Sequence, residues 1–212
     1  MTIETKLIVG RHIELIAPAQ TNNGVAVGGF QRLNPVPLSI DESKFWSRIK
    51  GPRKSTVGHG HFVHASKAHR NYQWLEWRPG MVSEVVHAGV DVLTGPMSGC
   101  WIIRYTRLGV VCVGHVGTDS TPTNPNSVAA KAAWNTFRPT AVGPVTGFNP
   151  LRDWPGALPA MNNQTDNAPK IFGLVTGAGA FYSLFTYPQK GTTNTVRIAG
   201  LSPIASTLPL VI

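Results

Sequence analysis

The residues best suited to chemistry are a cysteine and a histidine that begin and end one short segment. Cys100 opens, and His115 closes, the run Cys-Trp-Ile-Ile-Arg-Tyr-Thr-Arg-Leu-Gly-Val-Val-Cys-Val-Gly-His. A thiol activated by an imidazole base is a common nucleophile in enzymes that transfer acyl groups. A cysteine at the start of a strand is more often a core residue, so the assignment depends on where the fold brings the pair.

The segment between them predicts a β-hairpin. Two aromatic and β-branched runs, 101–105 and 110–113, flank a four-residue loop at 106–109. If Tyr105 faces Val110, Cys100 stands directly opposite His115. Opposed residues on one face have Cβ atoms roughly 4.5–5.5 Å apart, so an imidazole nitrogen could reach the thiol. A register slip of two residues would make the pair diagonal.

The residues before Cys100 support its role as a nucleophile. Gly99 lets the backbone turn tightly and leaves the thiol approachable from one side. Ser98-Gly99 at a strand start can also aim N–H groups, including that of Cys100, at a developing oxyanion.

The second cysteine has a different expected role. In the same register Cys112 opposes Ile103 and points to the other face of the hairpin, which disfavours a disulfide with Cys100. We expect both thiols to be reduced and Cys112 to be a small buried hydrophobe.

The whole chain predicts a strand-rich α+β protein. Of 212 residues, 22 are glycine and 17 proline, which favours many turns. Strands are expected within 72–93, 171–187 and 195–212, and 139–170 is rich in loops. Ser39 and Glu42 form a capping box for one helix, and Asn126-Ser127 can cap another that runs to Phe137. The expected architecture is a β-sandwich of mixed sheets with a few outer helices, as one catalytic domain spanning 1–212.

The charge balance allows a competing, non-enzymatic function. The net charge is +9 and the pI about 10.0, with much of the surplus between Lys44 and Arg78. Such a region favours acidic partners, but it fits no nucleic-acid motif, so nucleic acid is not expected to be obligatory. A solvated basic face and a partner-docking patch remain alternatives.

Other patterns indicate no cofactor or metal. His59, His61 and His64 lack a nearby cysteine or carboxylate ligand and favour a polar loop. The sequence 176–179 has phosphate-loop glycines but neither the lysine nor the helix that a phosphate loop requires, which favours a tight turn. The tryptophans are expected in the core or as loop anchors. No run approaches the ~20 apolar residues of a membrane span.

Four features together resemble bacterial glutamine deamidase toxins, namely Burkholderia lethal factor and the catalytic domain of the cytotoxic necrotizing factors. Met97-Ser98-Gly99-Cys100 is similar to their Leu-Ser-Gly-Cys motif, and His115 follows at the spacing of the necrotizing factors. Thr94 lies six residues before Cys100, as does the third site residue of the lethal factor. Trp74-Leu75-Glu76-Trp77 and Gly173-Leu174-Val175-Thr176-Gly177 are similar to strands of that toxin.

The resemblance implies deamidation of one glutamine in a host protein, either a translation-initiation RNA helicase or a Rho-family GTPase. The site would comprise Cys100, His115 and Thr94, with Thr94 orienting the imidazole. We would then expect a monomeric cytotoxin made in a bacterial cytoplasm, exported without a signal peptide and active in the host cytosol. Transglutamination and thiol proteolysis on the same Cys-His pair are the enzymatic alternatives.

Overall fold

The computed structural model describes residues 3–15, 28–39, 71–118, 121, 123–159, 169–189 and 195–212. These residues form a strand-rich α+β fold with two mixed sheets, as predicted. The strands in chain order are β1 (His12–Glu14), β2 (Phe30–Arg32), β3 (Val36–Ser39), β4 (Asn71–Trp74), β5 (Val82–Val86), β6 (Asp91–Thr94), β7 (Trp101–Arg107), β8 (Val110–Val116), β9 (Thr146–Phe148), β10 (Lys170–Val175), β11 (Phe181–Pro188) and β12 (Thr195–Ile204).

The larger sheet has seven strands in the order β1-β12-β11-β10-β6-β4-β3. All neighbours are antiparallel except β4 and β6, which run parallel. Strand β6, which ends at Thr94, therefore lies inside this sheet with β10 on one side and β4 on the other.

The smaller sheet has five strands in the order β2-β5-β8-β7-β9. Only β2 and β5 run parallel. The predicted hairpin forms its centre as β7 and β8. The short strand β9 lies in the segment predicted as loop, because three residues are too few to give a period-2 pattern.

The two sheets share an apolar core. Val92 and Val175 of the larger sheet pack with Val85, Ile102 and Val113 of the smaller one. Because side chains alternate along a strand, the opposite face of each sheet carries its own cluster. Ile3 and Leu7 cover the outer face of the larger sheet, and the helix described next covers that of the smaller.

One α-helix, α1 (Pro125–Phe137), occurs in the described part of the chain. Its N-cap is Asn124, whose side chain accepts a hydrogen bond from the Asn126 backbone N–H at 2.9 Å. The predicted cap at Asn126-Ser127 was thus two residues late, because Pro125 fits the first helical turn, where no N–H is needed. Ile3–Thr5 and Arg138–Thr140 form 3-10 turns. Ser39 ends β3, and the rest of the helix predicted from it lies outside the described residues.

No helix among the described residues is both long enough and apolar enough to cross a membrane.

Candidate active site

The hairpin is closed by a two-residue turn, Leu108-Gly109, where the sequence predicted a four-residue loop. Both residues have positive φ, 52° and 76°, as the central pair of a type I′ turn requires. His115 consequently pairs with Ile102 and not with Cys100. The predicted direct opposition of Cys100 and His115 is therefore wrong by two residues.

A shift of two residues keeps both side chains on the same face of the hairpin. Cys100, immediately before β7, packs with Ile102 and Val113 in the core between the sheets. His115 is two residues beyond Val113 on β8, so its side chain points to the same side. The cysteine and histidine are diagonal neighbours that face the interior of the sandwich.

Thr94 reaches His115 from the opposite sheet. Thr94 Oγ1 lies 2.7 Å from His115 Nδ1, and both side chains are buried. The same hydroxyl donates to the Leu75 carbonyl at 2.7 Å. The expected contact between Thr94 and the imidazole is therefore present, and it joins β6 of one sheet to β8 of the other.

These two hydrogen bonds assign the imidazole tautomer. A threonine hydroxyl has a single proton, which here goes to the Leu75 carbonyl, so Oγ1 must accept from an Nδ1–H of His115. The neutral ring then carries a lone pair on Nε2. That atom is buried and has no hydrogen-bond partner among the described residues. It is the nitrogen that can accept a proton.

Burial also keeps this imidazole neutral. His115 has no solvent exposure, and desolvation lowers its pKa from 6.5 to about 3. Charging the ring would place an unpaired cation between two sheets, which the low dielectric disfavours. At neutral pH the base is therefore in its proton-accepting form.

Cys100 opens into a pocket of about 290 Å³. Its side chain is only 3% exposed, and Sγ donates to the Thr118 carbonyl at 3.0 Å. The Trp77 indole N–H donates to the same carbonyl at 3.2 Å. The pocket is lined by Trp77, Pro96, Met97, Ser98, Cys100, Thr118, Pro169 and Lys170. The thiol is thus held at a cavity that a small side chain could enter.

The loop that carries Cys100 is fixed from outside the hairpin. The Met97 N–H donates to the Ile171 carbonyl at 2.9 Å. The Asn149 side-chain amide donates to the Gly99 carbonyl at 3.1 Å. Asn149 Oδ1 in turn accepts from the backbone N–H groups of Leu151 and Arg152. Asn149 was not predicted from the sequence, because it lies 49 residues beyond Cys100 and its side chain hydrogen-bonds to main-chain atoms.

Cys112 lies on the other face of the same hairpin, as predicted, but opposite Tyr105 and not Ile103. Neither of the two cysteines forms a disulfide, and both are buried. Burial, with the nearby Glu84 carboxylate, raises the pKa of Cys112 and keeps it a thiol. Arg32 Nη2 donates to its sulfur at 3.4 Å. Cys112 is a small buried residue of the apolar cluster beneath α1, as predicted, and Arg32 is a polar neighbour that the sequence did not indicate.

A buried carboxylate organises this outer face. Glu84 accepts from the Tyr105 hydroxyl at 2.6 Å and from Arg107 Nε at 3.0 Å through one oxygen. Its other oxygen pairs with Arg32 and Arg107, each at 2.9 Å. Burial alone would raise the Glu84 pKa, but the hydrogen bonds from Arg107, Tyr105 and Arg32 outweigh it and lower the pKa. Both carboxylate oxygens are satisfied.

A second, larger pocket lies away from this chemistry. It has a volume of about 1110 Å³ and lies between α1 and the tip of the hairpin. Alanine, glycine and phenylalanine residues form most of its walls, including Phe30, Ala133 and Phe137. It offers neither the thiol nor the imidazole.

Two further predictions concern glycines and metal ligands. Residues 176–179 form the predicted tight turn, with the Gly179 N–H donating to the Thr176 carbonyl at 2.7 Å. His59, His61 and His64 lie outside the described residues, as does most of the basic Lys44–Arg78 region. Arg78 itself pairs with Glu76 at 2.9 Å. Among described residues, no group of at least 3 metal-binding side chains could hold an ion.

Comparison with known proteins gives no match to a family model, a curated protein or a solved structure.

Proposed function

We propose that this protein is a cysteine-dependent hydrolase that deamidates a glutamine side chain of a target protein. Cys100 is the nucleophile, His115 the base and Thr94 the residue that orients the base. The observation that carries the proposal is the Nε2 atom of an Nδ1-protonated imidazole, which is buried without a hydrogen-bond partner in the described part of the chain and lies on the same hairpin face as a pocket-lining thiol. A buried polar atom without a partner costs stability, so its presence calls for an explanation, and a catalytic role is one.

The first half of the reaction forms a thioester. The Cys100 thiol leaves the Thr118 carbonyl, gives its proton to His115 Nε2 and attacks the carboxamide carbon. The tetrahedral intermediate collapses as the imidazolium returns that proton to the nitrogen, and ammonia leaves. Because His115 is otherwise held neutral, the imidazolium exists only while the negative charge of the thiolate or oxyanion lies beside it.

The second half consumes water. His115 Nε2 removes a proton from a water molecule, the resulting hydroxide attacks the thioester, and the Cys100 sulfur leaves and regains the proton. The products are a glutamate side chain and the free enzyme. No cofactor enters the scheme. Thr94 is a neutral partner, so it stabilises the imidazolium less than an aspartate would.

The choice of glutamine, and of a host protein, is supported by the resemblance of Met97-Ser98-Gly99-Cys100 and the Thr94 and His115 spacings to bacterial deamidase toxins. In this proposal the protein is a bacterial cytotoxin that acts in the host cytosol. Its target belongs to the translation-initiation RNA helicases or to the Rho-family GTPases.

The test compares the two cysteines. Host-cell lysate is treated with wild-type protein, Cys100→Ser or Cys112→Ser, and mass spectrometry identifies glutamines converted to glutamate. We expect the wild type and Cys112→Ser to convert the same glutamine and Cys100→Ser to convert none, with all three equally folded by circular dichroism. Equal conversion by Cys100→Ser, or no conversion by the wild type, would reject the proposal.

The same experiment separates the enzymatic alternatives. With a primary amine added, a transglutaminase would attach the amine to the glutamine, because the amine replaces water at the thioester. A thiol protease would leave cleaved target. If either product forms and depends on Cys100, the assignment of Cys100 as the nucleophile stands and deamidation is rejected as the reaction.

A further inference from the structure

Thr118 places a main-chain acceptor directly beside the reactive sulfur. Its carbonyl oxygen lies 3.0 Å from Cys100 Sγ, and both residues line the same pocket. An amide whose carbon is attacked by that sulfur must come within about 3–3.5 Å of it. The Thr118 carbonyl oxygen accepts hydrogen bonds and cannot donate them. The side of the amide that faces it is therefore the NH₂ group and not the amide oxygen.

The Thr118 side chain adds a second polar group that lacks a partner. The residue is only 3% exposed, so Oγ1 is buried, and it has no hydrogen-bond partner among the described residues. A buried hydroxyl without a partner is destabilising, and a ligand that supplies one recovers the loss. Thr118 thus presents two oxygen acceptors, and the hydroxyl is unsatisfied.

Neighbouring residues hold the Thr118 carbonyl in place. The Trp77 indole N–H donates to it at 3.2 Å, and the Thr118 N–H donates to the Val116 carbonyl at 2.8 Å. The preceding Gly117 passes so close to Arg78 that a Cβ on it would lie 1.9 Å from the Arg78 carbonyl oxygen. The acceptor is therefore fixed before any substrate arrives. Pre-positioned groups of this kind give binding sites their specificity.

We propose that Thr118 recognises the primary carboxamide of the substrate. Its main-chain carbonyl accepts one N–H of the NH₂ group and its Oγ1 accepts the other. This inference rests on the proposed function and names the residue that would make the site specific for amides.

Recognition at Thr118 also couples binding to activation. In the free protein the Cys100 thiol donates a hydrogen bond to the Thr118 carbonyl. The N–H of the arriving amide replaces the thiol as the donor. The displaced thiol is then free to donate to His115 Nε2. After hydrolysis the product is a carboxylate, which has no N–H to donate to the Thr118 carbonyl, so the hydrogen bond that recognised the amide is lost.

The test uses two small alkylating reagents of similar shape in the Cys112→Ser background, which leaves one thiol. Iodoacetamide carries a primary carboxamide, whereas methyl iodoacetate carries no N–H donor. The rate of Cys100 alkylation by each is measured by intact-protein mass spectrometry and divided by the rate with N-acetylcysteine. We expect the normalised rate with the amide to exceed the normalised rate with the ester by about tenfold, which corresponds to one to two hydrogen bonds.

Two variants examine the residue itself. Thr118→Val keeps the shape but removes Oγ1, and it should lower the ratio several-fold while the ester rate stays the same. Trp77→Phe removes the donor that holds the carbonyl, and it should lower the ratio even if Thr118→Val fails to fold. A ratio equal to that of N-acetylcysteine, or an equal change in both rates, would overturn the proposal.

Alkylation does not require deamidation, so the two proposals fail separately. A raised ratio without glutamine conversion in lysate would retain carboxamide recognition and reject the deamidase. Conversion in lysate with an ordinary ratio would retain the deamidase and reject the role of Thr118.

Discussion

Each face of the β7–β8 hairpin has a cysteine and a buried ionisable group beside it, Glu84 on the outer face and His115 on the inner face, and these two groups differ in their hydrogen bonding. On the outer face both oxygens of Glu84 have partners, supplied by Tyr105, Arg107 and Arg32. On the inner face His115 Nε2 and Thr118 Oγ1 are buried without partners among the described residues.

The contrast separates groups that stabilise the fold from groups available for chemistry. A buried charge with every hydrogen bond satisfied contributes to a specific structure and resists substitution. A buried base with one nitrogen unsatisfied reduces stability and gains a partner only when a proton donor arrives. Both faces carry a buried cysteine, so burial of a thiol alone does not distinguish them.

The largest expected effect comes from removing the base on the inner face. His115→Met should lower deamidation by about 10²- to 10⁴-fold, the usual contribution of a general base. It should change the free energy of unfolding by less than about 1.5 kcal/mol, since the volume is similar and Thr94 still donates to the Leu75 carbonyl. Activity assays and urea unfolding measure the two quantities. Retained activity, or a large loss of stability, would make His115 a structural residue.

The outer face should respond in the opposite way. Glu84→Gln leaves Arg107 and Arg32 without their buried counter-charge and should destabilise the fold by about 3 kcal/mol. The deamidation rate per folded molecule should remain close to that of wild type, because Glu84 does not face the Cys100 pocket. The same unfolding and activity assays serve as the check. If Glu84→Gln proves less destabilising than His115→Met, the contrast between the faces is wrong.

The faces should also lose stability in different pH ranges. The His115 pKa is about 3 when folded and 6.5 when unfolded, so the unfolded state binds the extra proton between these values. Above pH 6.5 the ring is neutral in both states and the free energy of unfolding does not depend on it. As the pH drops towards 3, the free energy of unfolding falls by up to about 1.4 kcal/mol per pH unit. Glu84 has a lowered pKa, so its contribution is lost only below its ordinary value of 4.5.

Unfolding measured from pH 7 to 3 in wild type and both variants tests this. In a plot of the free energy of unfolding against pH, His115→Met should reduce the slope between pH 6.5 and 4.5. Glu84→Gln should reduce the slope below pH 4.5. His12 and His87, whose pKa values are also lowered by burial, contribute equally to all three proteins. The same slope in wild type and His115→Met between pH 6.5 and 4.5 would contradict the assignment.

The sequence predicted the fold class, the hairpin, and the faces on which Cys100, His115 and Cys112 lie, because these follow from residue type and a period of two. It missed the register because Leu108 adopts a positive φ, which a leucine rarely does. A two-residue turn was therefore not expected at that position.

Other parts of the site leave no signal in a local pattern. Thr118 acts through a main-chain oxygen, and the Asn149 amide binds a main-chain carbonyl 50 residues away. Thr94 was found only through the family resemblance, because its partner lies in the other sheet. Contacts of this kind depend on tertiary packing and not on the periodicity of one strand.

The hydrogen bond between Thr94 and His115 also sets when the site is completed during synthesis. Thr94 lies on β6, which is flanked by β4 and β10, and β10 is followed by β11 and β12 in the same sheet. All three strands from β10 onward leave the ribosome well after Cys100 and His115 do. We therefore expect the Thr94–His115 hydrogen bond to form only after residues 170–204 have been synthesised, later than the hairpin itself.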